Sequence, residues 1–293
     1  MRLALTIAFA LLPFATAAAP SPEQAWKADL VQTNKDYASV PHAILKIQDA
    51  AYLREGDTAT LIGTTGKPET YHWVHGGSAK GVLTATVHGG HPTVAKAGKI
   101  FSESEIAKGI VVDKDVDIAG TPTQVSAGVI GARIFVFNQK SAAAKAFTGV
   151  DYFPYDPAYR VLATFVPDPK LAPRAFRTSR GTDKQFFHVG EASFTLKGRK
   201  FTLPFYADGR DPKKIATISA FFTDDLTGKG TYGAGRYVEA DGFGAFPPKT
   251  ITIDFNSAYN PNCARSAFFT CPVALDDIAI AVKAGERDPH FAH

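Results

Sequence analysis

The chain has 293 residues, 45% of them apolar, and its 32 basic and 28 acidic side chains leave a formal net charge of +4. That composition excludes a disordered polypeptide and is enough for one large core or two smaller ones. Basic residues scattered among so many acids, with pairs such as Lys213-Lys214 reading as solvated faces, argue against a nucleic-acid partner.

The N-terminus comes first in chain order. Arg2 precedes an apolar run from Leu3 to Phe14 and then the small residues Ala15-Thr16-Ala17-Ala18-Ala19. This is the pattern of a secretory signal peptide over 1–19, cleaved at one of the sites from Ala17 to Ala19, and its core is too short to remain as a membrane span. A periplasmic or secreted protein of about 275 residues is expected, with no later segment long and apolar enough to cross a membrane. Ser21-Pro22-Glu23-Gln24 combines an N-cap, a proline at the first helical position and a capping-box Gln, so a helix is expected within 20–41. Trp26, Leu30 and Tyr37 mark its packed face, and Pro41 ends it.

The period then becomes strand-like. Short β-branched and aromatic runs, broken by glycine, cover 58–62, 70–74, 82–88, 110–112 and 128–137, followed by a short helical turn within 139–147. The run Ile130 to Phe137 does not alternate strictly, which argues for burial on both faces and leaves Arg133 as a polar exception that needs a partner. An aromatic and proline segment from Tyr152 to Tyr159 leads into a strand over 160–166. Asp168-Pro169 to Pro173 reads as a linker. Further strands are expected at 186–190, 192–196, 200–206, 215–223, 233–238 and 250–255, with a tight hairpin at Leu196 to Lys200. The fold class is therefore mainly β, with antiparallel sheets forming a sandwich or partly open barrel and one N-terminal helix. The expected division is 42–170 for an N-terminal β region and 171–293 for a C-terminal one, able to share a single core.

Both cysteines fall in the second region, Cys263 and Cys271, at the end of the loop Asp254-Phe255-Asn256-Ser257-Ala258-Tyr259-Asn260-Pro261-Asn262. In an exported protein they are expected to form a disulfide, and closing so short a loop would contribute roughly 2.6 kcal/mol. A redox pair would ordinarily have tighter spacing, and zinc would need two further ligands.

Phe222-Thr223-Asp224, Gly230-Thr231-Tyr232-Gly233-Ala234-Gly235-Arg236-Tyr237, Asp254 to Ala264, Cys271-Pro272 and Ala284-Gly285-Glu286-Arg287 resemble, in this order and spacing, the bacterial domain-of-unknown-function family 1684. The resemblance implies a predominantly β protein, often exported, with no established activity, substrate or cofactor. Where the family usually carries a proline-rich stretch and an Asn before Ala-Gly-Glu, this chain has Val273-Ala274-Leu275-Asp276-Asp277.

The polar set Asp224, Thr231, Tyr232, Arg236, Asp254, Asn256, Tyr259, Asn260 and Glu286 is more varied than turn chemistry alone requires. The favoured expectation is ligand binding by loop 256–271 and strand 230–237 through Tyr232, Arg236, Asn256, Tyr259 and Asn260, the ligand being a small molecule or an envelope component. The alternative is a hydrolase with Asp254 or Asp224 as base and Tyr259 or Arg236 stabilising charge. The plainer reading makes the same residues turn caps and buried ion pairs. His72-Trp73-Val74-His75 would point its histidines to opposite faces of a strand, and His88 and His91 flank a Gly-Gly turn, so no metal site is expected. His75-Gly76-Gly77-Ser78 is similar to an oxyanion-hole strand, yet no Gly-x-Ser-x-Gly elbow exists to use it. Gly233-Ala234-Gly235 lacks the third glycine and the helix of a dinucleotide site, and no cofactor is expected.

Overall fold

The computed structural model describes residues 19–77 and 81–288, so the expected signal peptide lies, apart from Ala19, outside the described residues. Helix α1 (Pro22–Asn34) begins with a reciprocal capping box: Gln24 N–H donates to Ser21 Oγ at 3.2 Å and Ser21 N–H to Gln24 Oε1 at 2.8 Å. A π turn over Lys35–Ser39 carries it to the stop at Pro41. Trp26 and Tyr37 are buried, while Leu30 is only half-buried.

Two antiparallel sheets follow. One has the order β3 (Lys67–His75), β2 (Thr58–Thr64), β4 (Leu83–His88), β5 (His91–Lys96), β6 (Lys99–Phe101), and the other β1 (Ile47–Leu53), β9 (Val129–Asn138), β8 (Val116–Ser126), β7 (Ile110–Asp113). They face each other across a core that includes Leu53, Leu61, Val87, Val94, Ile118 and Ile134, closed at one end by Ile106 of α2 (Glu103–Lys108). β9 is buried on both faces, as its sequence implied. Even positions Ala132, Ile134 and Val136 enter that core, and odd positions Phe135 and Phe137 join a second cluster with Cys263, Phe269 and Cys271.

After α3 (Ala142–Ala146) comes the large sheet, a curled half-barrel in the order β15 (Arg236–Ala240), β14 (Ile218–Asp224), β13 (Arg199–Ala207), β12 (Asp183–Leu196), β10 (Arg160–Pro167), β16 (Thr250–Asp254). β11 (Pro173–Arg177) adds to β12, and β17 (Asp276–Ile278) lies parallel to β14. Phe165, Phe194, Phe205, Phe222, Ile251 and Phe255 fill the concave side, while Phe176, Tyr206, Phe221 and Tyr237 pack on the convex side.

Two expectations need correction. The strands expected at 186–190 and 192–196 are one long strand, β12, whose register shifts between His188 and Gly190. Gly190 has φ +152°, and a Cβ there would sit 2.4 Å from the Val166 oxygen, so the bend requires glycine. The tight hairpin, by contrast, is a two-residue turn with Lys197 and Gly198 both at positive φ.

The second correction concerns the strand at 160–166, placed by sequence in the N-terminal region. It is β10, paired with β12 and β16. The segment read as a linker is a turn inside this same sheet, with Asp168 N–H bonded to Val189 O at 2.9 Å and Leu171 buried in the C-terminal core.

Helix α1, whose packing partner the sequence left open, lies against the C-terminal half. Trp26 packs on Tyr152 and Tyr155, Tyr37 meets Phe147 edge-on, and Asn34 Oδ1 accepts from Val150 N–H at 2.9 Å. The N-terminal sheets are therefore inserted between α1 and the rest of the unit it packs against.

Candidate functional site

β14 ends at Asp224, whose carboxylate is completely enclosed. Oδ1 accepts from Leu226 N–H at 3.3 Å, Thr227 Oγ1 at 3.1 Å and Thr231 Oγ1 at 3.4 Å, and Oδ2 from Val282 N–H at 2.8 Å and Arg236 Nη2 at 3.1 Å. Arg236, 1% exposed, also donates to the main-chain oxygens of Val282, Ala284 and Glu286. Burial pulls the Arg236 pKa below its ordinary value, against the opposing field of Asp224. Together the pair clamps the tail 282–286 to the sheet. Neither side chain has an open face for substrate, so the expected roles of Asp224 as base and Arg236 as ligand contact or charge stabiliser find no geometry here.

Glu286 forms a second internal knot. Its carboxylate accepts from Asn260 N–H at 2.7 Å and from Arg265, while Asn260 Nδ2 donates to Arg287 O at 2.7 Å. Burial raises the Glu286 pKa despite Arg265. The Arg265 guanidinium lies 4.6 Å from the Tyr37 ring, whose own pKa burial pushes up to about 12. Arg265, Tyr37 and Tyr152 were missed as partners by sequence reasoning. The signal that existed for Arg265 was a guanidinium placed directly after Cys263-Ala264.

Asn256 is likewise structural. Its Oδ1 accepts from Asp156 N–H at 2.9 Å, and its Nδ2 donates to Asp156 O at 2.9 Å and Asp254 Oδ1 at 2.8 Å. Asp254 caps the turn over 255–257 by accepting from Asn256 N–H at 3.0 Å. Its other oxygen is 3.6 Å from Arg160 Nε.

The concave feature nearest these motifs is a groove of about 890 Å³ between α1 and the two edge strands of the curled sheet, β15 and β16. Trp26, Tyr37, Tyr152 and Tyr259 contribute aromatic surface to its wall. Five carboxylates, Asp29, Asp36, Glu239, Asp241 and Asp254, face a single cation, Arg160. Tyr259 donates its hydroxyl to Glu239 Oε1 at 2.6 Å, and burial first, then Glu239, raise its pKa, so the phenol stays protonated. Of the expected ligand residues only Tyr259 lines the groove, with Ser257 and Asn262 from the same loop. Tyr232, Arg236, Asn256 and Asn260 lie elsewhere, and strand 230–237 does not reach it.

Residues 145–287 match the family described as "Protein of unknown function (DUF1684)". Residues 145–287 are a DUF1684 family domain. A solved structure, the solution NMR structure of an uncharacterized protein from Haloarcula marismortui, is 33% identical over 51% of this chain and 82% of that one, with a TM-score of 0.43. No curated protein matches. The DUF1684 match contains every motif residue named above, whereas α1 and the inserted sheets precede it.

Within the DUF1684 domain, Cys263 and Cys271 are both buried thiols in this structure, with Cys263 N–H donating to Cys271 Sγ at 3.3 Å. A hydrogen bond from the Cys271 thiol, aided by the hydroxyls of Ser179 and Tyr232, lowers the Cys263 pKa to about 7, and the same contact together with burial raises that of Cys271. The histidines of the inserted sheets have separate partners. His91 meets Glu103 at 2.5 Å, His88 stands 3.8 Å from Glu55, and His72 Nδ1 contacts Thr70 O at 2.9 Å.

Proposed function

We propose that the DUF1684 domain of this protein, exported and with Cys263 and Cys271 joined as a disulfide, binds a small cationic ligand in the groove between α1 and the edge strands β15 and β16. The observation that carries this reading is charge inversion: a chain of net charge +4 lines one concave, partly aromatic surface with five carboxylates and one guanidinium. Such a wall concentrates cations electrostatically, and ring faces beside carboxylates suit an organic ammonium group. Tyr259, held by Glu239, supplies a fixed aromatic edge at the site.

Calorimetric titration with spermidine and with choline tests the proposal. Saturable binding that weakens with salt and falls at least about fivefold in Glu239→Gln and Asp241→Asn is the expected result. Failure of the wild-type protein to bind either cation, or equal affinity in both variants, would remove it.

The hydrolytic alternative retains one geometric support, since Asp254, Arg160 and Tyr259 share the groove wall. Binding is nevertheless the better-supported reading. Asp254 Oδ1 is already taken by two donors of Asn256, and Oδ2 stands 3.6 Å from Arg160 Nε, so neither oxygen is left free to face a substrate proton. Hydrolysis of an ester or glycoside panel that disappears in Asp254→Asn, with cation binding kept, would favour the alternative.

A further inference from the structure

The parity of β9 sends Arg133 to the same face as Phe135 and Phe137, into the seam between the inserted sheets and the DUF1684 domain. Its guanidinium rests 4.5 Å from the Phe135 ring and 5.0 Å from that of Phe269. The Nε atom is buried and has no hydrogen-bond partner, and no carboxylate pairs with this side chain among the described residues. A polar exception that needed a partner has found only rings.

Across the seam stands Lys184 of β12, half-buried and also without an ion-pair partner among the described residues. Burial and then the positive field of Arg133 lower its pKa, while Cys271 and Asp208 oppose this. The next residue along β12 ties that strand to β8, the neighbour of β9: Gln124 Nε2 donates to Gln185 O at 2.8 Å and Gln124 Oε1 accepts from Gln185 N–H at 3.0 Å. A third cation borders them. Arg180 lies over the ring of Tyr52, the register partner of Arg133, and donates to Ala267 O at 3.0 Å.

Two half-buried like charges on one seam, neither in an ion pair with a carboxylate among the described residues, repel each other, and an anion between them relieves that repulsion. The two Nη groups of Arg133, in a half-buried side chain with no hydrogen bond or ion pair among the described residues, can grip an oxyanion with parallel N–H groups, and an ammonium on the same seam adds a point charge. We propose that the seam between the inserted sheets and the DUF1684 domain is an anion-binding site, in which Arg133 and Lys184 take the phosphate or carboxylate head of a small molecule. The site is separate from the acidic groove and selects the opposite charge.

The test is calorimetric titration of the full mature protein with inorganic phosphate and, separately, with acetate at low ionic strength. The proposal expects saturable one-to-one binding of at least one probe, the stronger of the two identifying the head group. Arg133→Met and Lys184→Met should each weaken it about tenfold or more, the size of a lost charged hydrogen bond. Lys184→Gln, which keeps most of the buried stem, serves if either methionine variant fails to fold. The idea is overturned if the wild-type protein binds neither probe saturably, or if the affinity is unchanged in the folded variants.

Discussion

Trp26 donates its indole N–H to the main-chain oxygen of Asn256 at 2.9 Å, across 230 positions of chain. This bond joins the first helix to the loop that carries the densest family motif, and the entire β1–β9 region is looped out between its two ends. Trp26→Phe should keep the ring packing and lose the bond, at a cost of about 1 kcal/mol, while Trp26→Ala should cost about 3–5 kcal/mol. Urea unfolding followed by far-UV dichroism measures both. No loss in Trp26→Phe would mean that the bond itself contributes nothing.

Arg236 holds the tail through three carbonyl oxygens and one carboxylate, a set that a lysine ammonium cannot reproduce. Arg236→Met should destabilise the protein by about 3–5 kcal/mol, since it leaves Asp224 charged and buried. Adding Asp224→Asn should recover part of that loss. Amide hydrogen exchange gives the local readout. The Val282 N–H, bonded to Asp224 Oδ2, should lose protection in Arg236→Met before the amides of β12 do.

The thiol pair should be asymmetric when reduced. With its pKa lowered to about 7, Cys263 should be alkylated first, its rate rising through neutral pH, while Cys271 stays inert. Tyr232→Phe removes one donor and should move the Cys263 midpoint upward. Mass-spectrometric mapping of iodoacetamide adducts between pH 5 and 9 resolves the order, and first reaction at Cys271 would contradict it. Protein recovered from an oxidising compartment should resist alkylation until reduced, and reduction should cost roughly 2.6 kcal/mol of stability.

Asp276 has one buried carboxylate oxygen with no hydrogen-bond partner, and burial raises its pKa in the folded state. The folded protein therefore binds more protons at this group than the unfolded chain does. Its contribution to stability is fully present below the unfolded value near 3.8 and is lost as pH rises through the raised folded value. Asp276→Asn should flatten the melting temperature against pH within that window, between the unfolded and the raised folded value, and leave the protein at least as stable at pH 7. A variant distinctly less stable at pH 7 would show that the charged form is favoured after all.

Much of the fold was legible because its causes are local. The capping box at Ser21 and Gln24, the Lys197-Gly198 turn and the unbroken apolar run of β9 each depend on residues a few positions apart, and each took the expected form. The bend at Gly190 was not legible, because what forces glycine there is the Val166 oxygen on a neighbouring strand. Nor was the domain plan. Pro169 and Pro173 carry ordinary linker chemistry, and only the pairing of β10 with β12 and β16 places them within a sheet.

The candidate site divides in the same way. Sequence by itself determined that Asp224, Arg236, Asn256, Asn260 and Glu286 form a polar set beside a two-cysteine loop, because residue type and order are properties of the chain. Tertiary structure decided that these groups bond internal partners, with Asn260 Oδ1 left over, since a buried charge or amide is ordinarily kept only where long-range neighbours supply its hydrogen bonds. It also decided which polar groups were left over. The acids facing α1, and Arg133 with Lys184 across the seam, come from distant segments whose charges meet only after the sheets have packed.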